Sequence, residues 1–197
     1  MKFKELLKER EGKTILDKDI LKKKFNIQQK HLVIPLVLII FFLINRKYLV
    51  FGLLSLVSGI FSFFHDKYNR VPVDFKLPLF LGILISWKFG LLYAAIFFIL
   101  SDTIPSLIGG GRVNAATLIF IGWFFMIYTF VLFFPGVDII TLGVILVFVE
   151  AVGSTIIKSF FGFPPFVAFF SSIFTIVVRI IYFLTLGKVI VWIFQFI

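Results

Sequence analysis

The chain has 197 residues, of which 60% are hydrophobic and only 15% charged, with net charge +10 and mean hydropathy +1.10. Soluble domains sit nearer half apolar and a quarter charged, so a soluble enzyme, a disordered chain and a nucleic-acid-binding module are poorly supported. Cysteine is absent, which removes disulfides, thiolate chemistry, zinc–sulfur sites and iron–sulfur clusters together. The expectation is an integral, multi-pass protein of the cell (plasma) membrane.

Residues 1–31 hold ten Lys/Arg against five Asp/Glu. The positive-inside bias places such a tail in the cytoplasm. Phe3, Leu6 and Leu7 form one amphipathic turn; Leu16, Ile20 and Leu21, behind Thr14 and Asp17, form another. With Lys22, Lys23 and Lys24 following, these turns fit a helix on the inner leaflet or a docking site for a partner subunit. Interleaved acids and the adjacent anionic lipid argue against nucleic acid as partner. No small-residue cleavage pattern follows the first apolar stretch, so no secretory signal is expected.

A membrane domain is expected over residues 32–197. Residues 33–44 are apolar but span only about 18 Å as a helix. With Pro35 inside and Asn45-Arg46-Lys47 at their end, they fit a re-entrant or interfacial helix, unless they borrow residues 27–31 to span. Residues 48–64 make a better span, with a small-x-x-x-small step at Ser55 and Gly59. A polar loop is expected over 65–76. Residues 77–104 fit one long tilted helix or two short ones meeting at Trp87-Lys88-Phe89-Gly90, and the cost of Lys88 at midplane favours the break.

Residues 101–114 are the most polar internal stretch, with Asp102, Pro105, Gly109, Gly110, Gly111, Arg112 and Asn114. Spans are expected at 115–134, 138–157 and 166–186, and an interfacial tail at 189–197. The predicted fold is therefore all-α: a polytopic bundle of about six transmembrane helices plus the short N-terminal helix.

Ionisable groups inside apolar spans are functional candidates, because unpaired charge in hydrocarbon costs a few kcal/mol or more. Glu150 lies on a stripe with Gly143, Val147 and Ser154; Arg179 lies on one with Ser172, Thr175 and Tyr182. In an antiparallel hairpin turning at 162–165, Glu150 sits about 12 Å and Arg179 about 21 Å from the turn. Long side chains close most of that gap. A structural ion pair, a substrate or proton site, and snorkelling to an interface are the open alternatives. Asp102, Arg112 and Asn114 bracket the triple glycine, which suits either an anion cradle of free N–H groups and a guanidinium or a flexible loop. Trp87, Trp123 and Trp192 fit interface anchors or packing.

Catalytic constellations are thin. Ser62, His65 and Asp66 straddle a helix end and fit interfacial polar residues far better than a nucleophilic triad. His31 and His65 form no metal-binding pair, no phosphate-binding G-x-x-x-x-G-K-[ST] loop exists, and the metal-bound Asp cluster of phospholipid-synthesising transferases is missing. No cofactor and no metal are expected.

The stretch FKLPLFLGILISWKFGLLYAAIFFILSDTIPSLIGGG, residues 75–111, resembles the S components of energy-coupling factor transporters. The resemblance extends loosely over residues 48–186. It is carried by Pro78, Gly82, Trp87-Lys88-Phe89-Gly90, Ala94-Ala95 and Gly109 to Gly111. The alanine motif of the first S-component helix is absent, with Ser55 and Gly59 a partial substitute. The cell-shape family MreD shares the general layout. The resemblance implies a non-enzymatic, substrate-binding membrane protein that captures a small molecule for uptake with an ATPase and a coupling subunit. It also implies ligand contacts at Arg112, Asn114, Glu150 and Arg179.

The alternative is a non-catalytic structural subunit of a larger membrane complex. A weaker resemblance links LSDTIPSLIGG, with Lys158, Ser159 and Gly162, to membrane lipid kinases and cytidylyltransferases. No acidic residue follows Glu150, although those enzymes need some.

Overall fold

The computed structural model describes residues 45–68, 74–111 and 114–197, and every regular element among them is helical. The tail at 1–31 and the apolar stretch 33–44 lie outside the described residues. The chain forms two units, Met1–Leu49 and Val50–Ile197; the second contains the whole apolar core.

The helices are α1 (Arg46–Tyr68), α2 (Pro78–Phe89), α3 (Leu91–Phe98), α4 (Ile104–Ile108), α5 (Ala115–Leu132), α6 (Ile139–Phe160), α7 (Pro165–Tyr182) and α8 (Lys188–Phe194). Wide π turns, Ile99–Thr103 and Phe183–Gly187, join α3 to α4 and α7 to α8. Among the described residues, five helices are then long and apolar enough to cross a membrane: Arg46–Tyr68, Leu91–Ile108, Ala115–Leu132, Ile139–Phe160 and Pro165–Phe194. The chain is a helical bundle of membrane type.

Local chemistry sets the boundaries. Pro78 stands in the first turn of α2, where its missing N–H costs nothing. The expected break falls at Gly90, whose φ of +92° is open to glycine and strained for other residues. Asn114 caps α5 by accepting from the Thr117 N–H, and Asp138 caps α6 by accepting from the Thr141 N–H.

Two expectations are corrected. Residues 65–68 are not loop: α1 continues to Tyr68, so His65 and Asp66 ride on its last turn. Residues 189–194 are not an element separate from the last span, because the second π turn carries α7 into α8. At that turn a Cβ on Gly187 would meet Ile140 Cδ1 at 2.8 Å, so a larger residue there would need the Ile140 side chain to shift.

The short helix α2 forms the centre of the bundle. Every residue from Pro78 to Ser86 is buried, and α2 packs against α3, α5 and α6. A helix apolar on all sides has to be covered on all sides. Tyr128 of α5 locks it in place. Its ring fills the space a Cβ on Gly82 would need, its hydroxyl donates to the Pro78 carbonyl at 3.0 Å, and its own carbonyl accepts from Ser86 Oγ at 2.8 Å.

The buried face of α1 is Ser55, Ser58, Gly59 and Ser62. A Cβ on Gly59 would lie 3.2 Å from Pro105 Cγ and 3.4 Å from the Leu100 carbonyl oxygen. The small-residue step thus sits at a close helix crossing.

Candidate functional site: a charged cavity at one end of the bundle

Outside residues 1–31 the chain has five acidic residues. One, Asp138, caps a helix. The other four, Asp66, Asp74, Asp102 and Glu150, line a single cavity of about 310 Å³ with Lys76, Lys158, Arg179 and His65. That size falls in the range of small-molecule sites.

The fold gathers these groups from separate elements. The last turn of α1 brings His65 and Asp66, and the strap at 74–77 brings Asp74 and Lys76. The first π turn carries Asp102, α6 carries Glu150, Ser154 and Lys158, and α7 carries Ser172, Thr175 and Arg179. From α5 come Thr117, Phe120 and Phe124, successive positions on one helical face. The C-terminal ends of α1 and α6 and the N-terminal ends of α2 and α5 meet here, so the cavity lies toward one end of the bundle and reaches inward to Glu150 and Arg179, midway along their spans.

Two carboxylate–cation–carboxylate clusters form the polar wall. In the first, Lys76 Nζ lies 2.9 Å from Asp66 Oδ2 and 3.1 Å from Asp102 Oδ1. Ser106 Oγ accepts from Lys76 and donates to Asp66. In the second, Arg179 Nη2 donates to Asp74 Oδ2 at 2.5 Å and Nη1 donates to Glu150 Oε2. Glu150 and Arg179 are 3% and 2% exposed, so the expected pairing forms inside the bundle and takes in a third partner. His65 bridges the clusters, with Nδ1 3.2 Å from Asp66 and Nε2 4.0 Å from Asp74.

The strap is pinned to α7 at three points. The Asp74 N–H donates to Thr175 Oγ1, Arg179 donates to the Asp74 carboxylate, and the Tyr182 hydroxyl donates to the Phe75 carbonyl. Burial pushes the Asp74 carboxyl up, but Arg179 and then Lys76 outweigh it and hold the group below its ordinary range. Burial likewise pushes Lys76 down, and Asp102, Asp74 and Asp66 together hold it above the usual lysine range. Both groups stay charged at neutral pH.

Of the residues singled out in the sequence, Glu150 and Arg179 line the cavity and are joined directly. Asn114 lies at its edge in sequence only: its side chain is spent on capping α5, and it lines neither this cavity nor its neighbour. Arg112 lies outside the described residues. The glycine turn lines a second cavity of about 340 Å³ that shares Asp66, Lys76, Asp102 and Thr117 with the first. Ser62 Oγ is buried without a hydrogen-bond partner while His65 bonds Asp66, so no nucleophile–base contact links them. Trp123 is interior packing, with its ring against Gly153 and its Nε1 donating to the Glu150 carbonyl at 3.3 Å.

Asp66, Asp74, Lys76 and Lys158 were not foreseen as site residues. The usable signal was the scarcity of acids beyond residue 31, because an acid kept in so apolar a chain needs a reason. Among the described residues no group of three or more His, Cys, Asp or Glu is arranged to hold a metal. The arrangement suits binding of a charged solute. Comparison with protein-family models, with curated proteins and with solved structures gives no match.

Proposed function

We propose that the chain is a membrane-embedded binding protein that captures a small polar solute for uptake, in the manner of an energy-coupling factor S component. One observation carries this reading: seven charged side chains converge on one cavity of about 310 Å³ in an otherwise apolar bundle. Charges are expensive in such surroundings, and a purely structural interior is served as well or better by apolar packing. Having no nucleotide-binding loop of its own, the protein works with an ATPase and a coupling subunit.

On this reading α2 is the sixth helix of the bundle, and the protein sits in the plasma membrane. The ten Lys/Arg of residues 1–31, with Arg46 and Lys47, keep the start of α1 cytoplasmic. The 23 residues of α1 then deliver His65 and Asp66 to the outer side, where a solute arrives.

The structural-subunit alternative draws on one observation, the buried Glu150–Arg179 pair, which serves as internal glue there. Gentle detergent extraction of the native protein with mass spectrometry of what accompanies it separates the two. An ATPase pair with a shared membrane subunit, or a bound solute, supports uptake. A large set of unrelated membrane subunits and an empty cavity overturn it.

A further inference from the structure

The charges around the cavity are sorted by sign. On the side formed by α1, the strap and the first π turn, three carboxylates (Asp66, Asp74, Asp102) face one ammonium, Lys76. On the side formed by α6 and α7, one carboxylate (Glu150) faces two cations, Lys158 and Arg179. Because Asp74 is itself bonded to Arg179, the Lys76 cluster (Asp66, Asp102) and the Arg179 cluster (Asp74, Glu150) each carry one carboxylate more than cation, and Lys158 is the cavity cation that belongs to neither. Lys158, half-buried, has no carboxylate within 4 Å among the described residues, and the fully buried Arg179 keeps its Nε without an acceptor. Lys158 lines the cavity, so it is the cation available there to an anionic group. Phe120 and Phe124 supply an apolar wall.

We infer that the ligand is dipolar: a small molecule that carries both an ammonium and an acidic group. This deepens the solute-binding reading and rests on it. The ammonium sits against Asp66, Asp74 and Asp102, where each cluster has one more carboxylate than cation. The acidic group sits at Lys158. A ligand with only one of these charges leaves the opposite side of the cavity uncompensated, and such a buried charge costs more than its pairing returns. Two sources share this chemistry, a free amino acid and the phosphoethanolamine headgroup of a lipid.

The test is binding to the full chain in detergent, read by thermal shift and by calorimetry. The probes are L-phenylalanine, glycerophosphoethanolamine, phenethylamine and 3-phenylpropionate. One of the two zwitterions should bind at least about tenfold more tightly than either single-charge probe, and the tighter zwitterion identifies the source. Lys158→Met should weaken the zwitterion at least about tenfold and leave phenethylamine within a factor of about two. Equal binding of amine and zwitterion, or an unaffected Lys158→Met variant, overturns the dipolar assignment. If no probe binds while native mass spectrometry finds another solute in the protein, the dipolar assignment fails and solute binding stands. If no probe binds and the protein is empty, both fail.

Discussion

The interior of the bundle has two regions built on opposite principles. Around α2, Phe80, Ile83, Leu84 and Ile85 meet Phe97, Phe98, Tyr128 and Phe183, all of them 1% exposed or less. The few polar atoms there are paired within the protein, as Tyr128 and Ser86 are. One end of the bundle instead gathers His65, four carboxylates and three cations around open volume. In a bilayer the first region needs only close packing. The second keeps charge out of water, and its geometry holds only while each partner remains. On the proposed function the centre serves stability alone while the charged end serves both stability and ligand recognition, and substitutions in the two regions should fail in different ways.

The largest effect is expected at the hub of the charged end. Arg179→Met leaves Asp74 and Glu150 without their guanidinium, and stranding a buried charge costs about 3–5 kcal/mol. The variant should accumulate poorly and melt well below the parent in detergent. An unchanged melting temperature would mean that the end region is hydrated enough to solvate both carboxylates.

The centre should respond next. Gly82→Ala drives a methyl into the Tyr128 ring, and overpacking of this kind costs about 1–3 kcal/mol. It should lower the melting temperature without altering the ligand selectivity of whatever protein still folds. Loss of selectivity at constant stability would break the division between the two regions.

Glu150→Gln probes the boundary. The amide keeps the shape and one acceptor, and Arg179 retains Asp74, so accumulation should stay near the parent while solute binding falls. A collapse in accumulation with little other change would favour the structural-subunit alternative. Retained binding with full accumulation would remove Glu150 from both roles.

Helix boundaries around the centre were legible in the sequence, the central place of α2 was not, and the charged end was legible only in part. Apolar run length and the Gly90 break follow from local rules, and so did the spans that became α1, α5 and α6. Glu150 and Arg179 stood out because each sits within an apolar run. Asp66, Asp74 and Lys76 did not, because beside a helix end a polar residue normally meets water. Only tertiary structure shows that α1 runs on to Tyr68 and that the strap folds inward over α7. The π turn at Asp102 was equally hidden. Pro105 has no N–H to return to the preceding turn, and the widened turn lies where α1 crosses closely at Gly59, a contact that no local pattern announces.

The smallest effect, and the finest test of the strap, is in pH. Asp74 has its folded value lowered, so its contribution is present above its unfolded value near about 4 and is lost only as pH falls through the lower folded one. Lys76 is raised, so its contribution is complete below about 10.4 and is lost only as pH rises through the higher folded value. Between those limits these two groups should leave the melting temperature flat. Asp74→Asn should make the acid limb shallower and Lys76→Met the alkaline limb, each with a smaller effect on the other limb because the two groups hold each other charged. Wild type and Asp74→Asn falling in parallel below neutrality would place the acid-sensitive contact elsewhere. The strap would then be fastened by the Thr175 and Tyr182 hydrogen bonds rather than by charge.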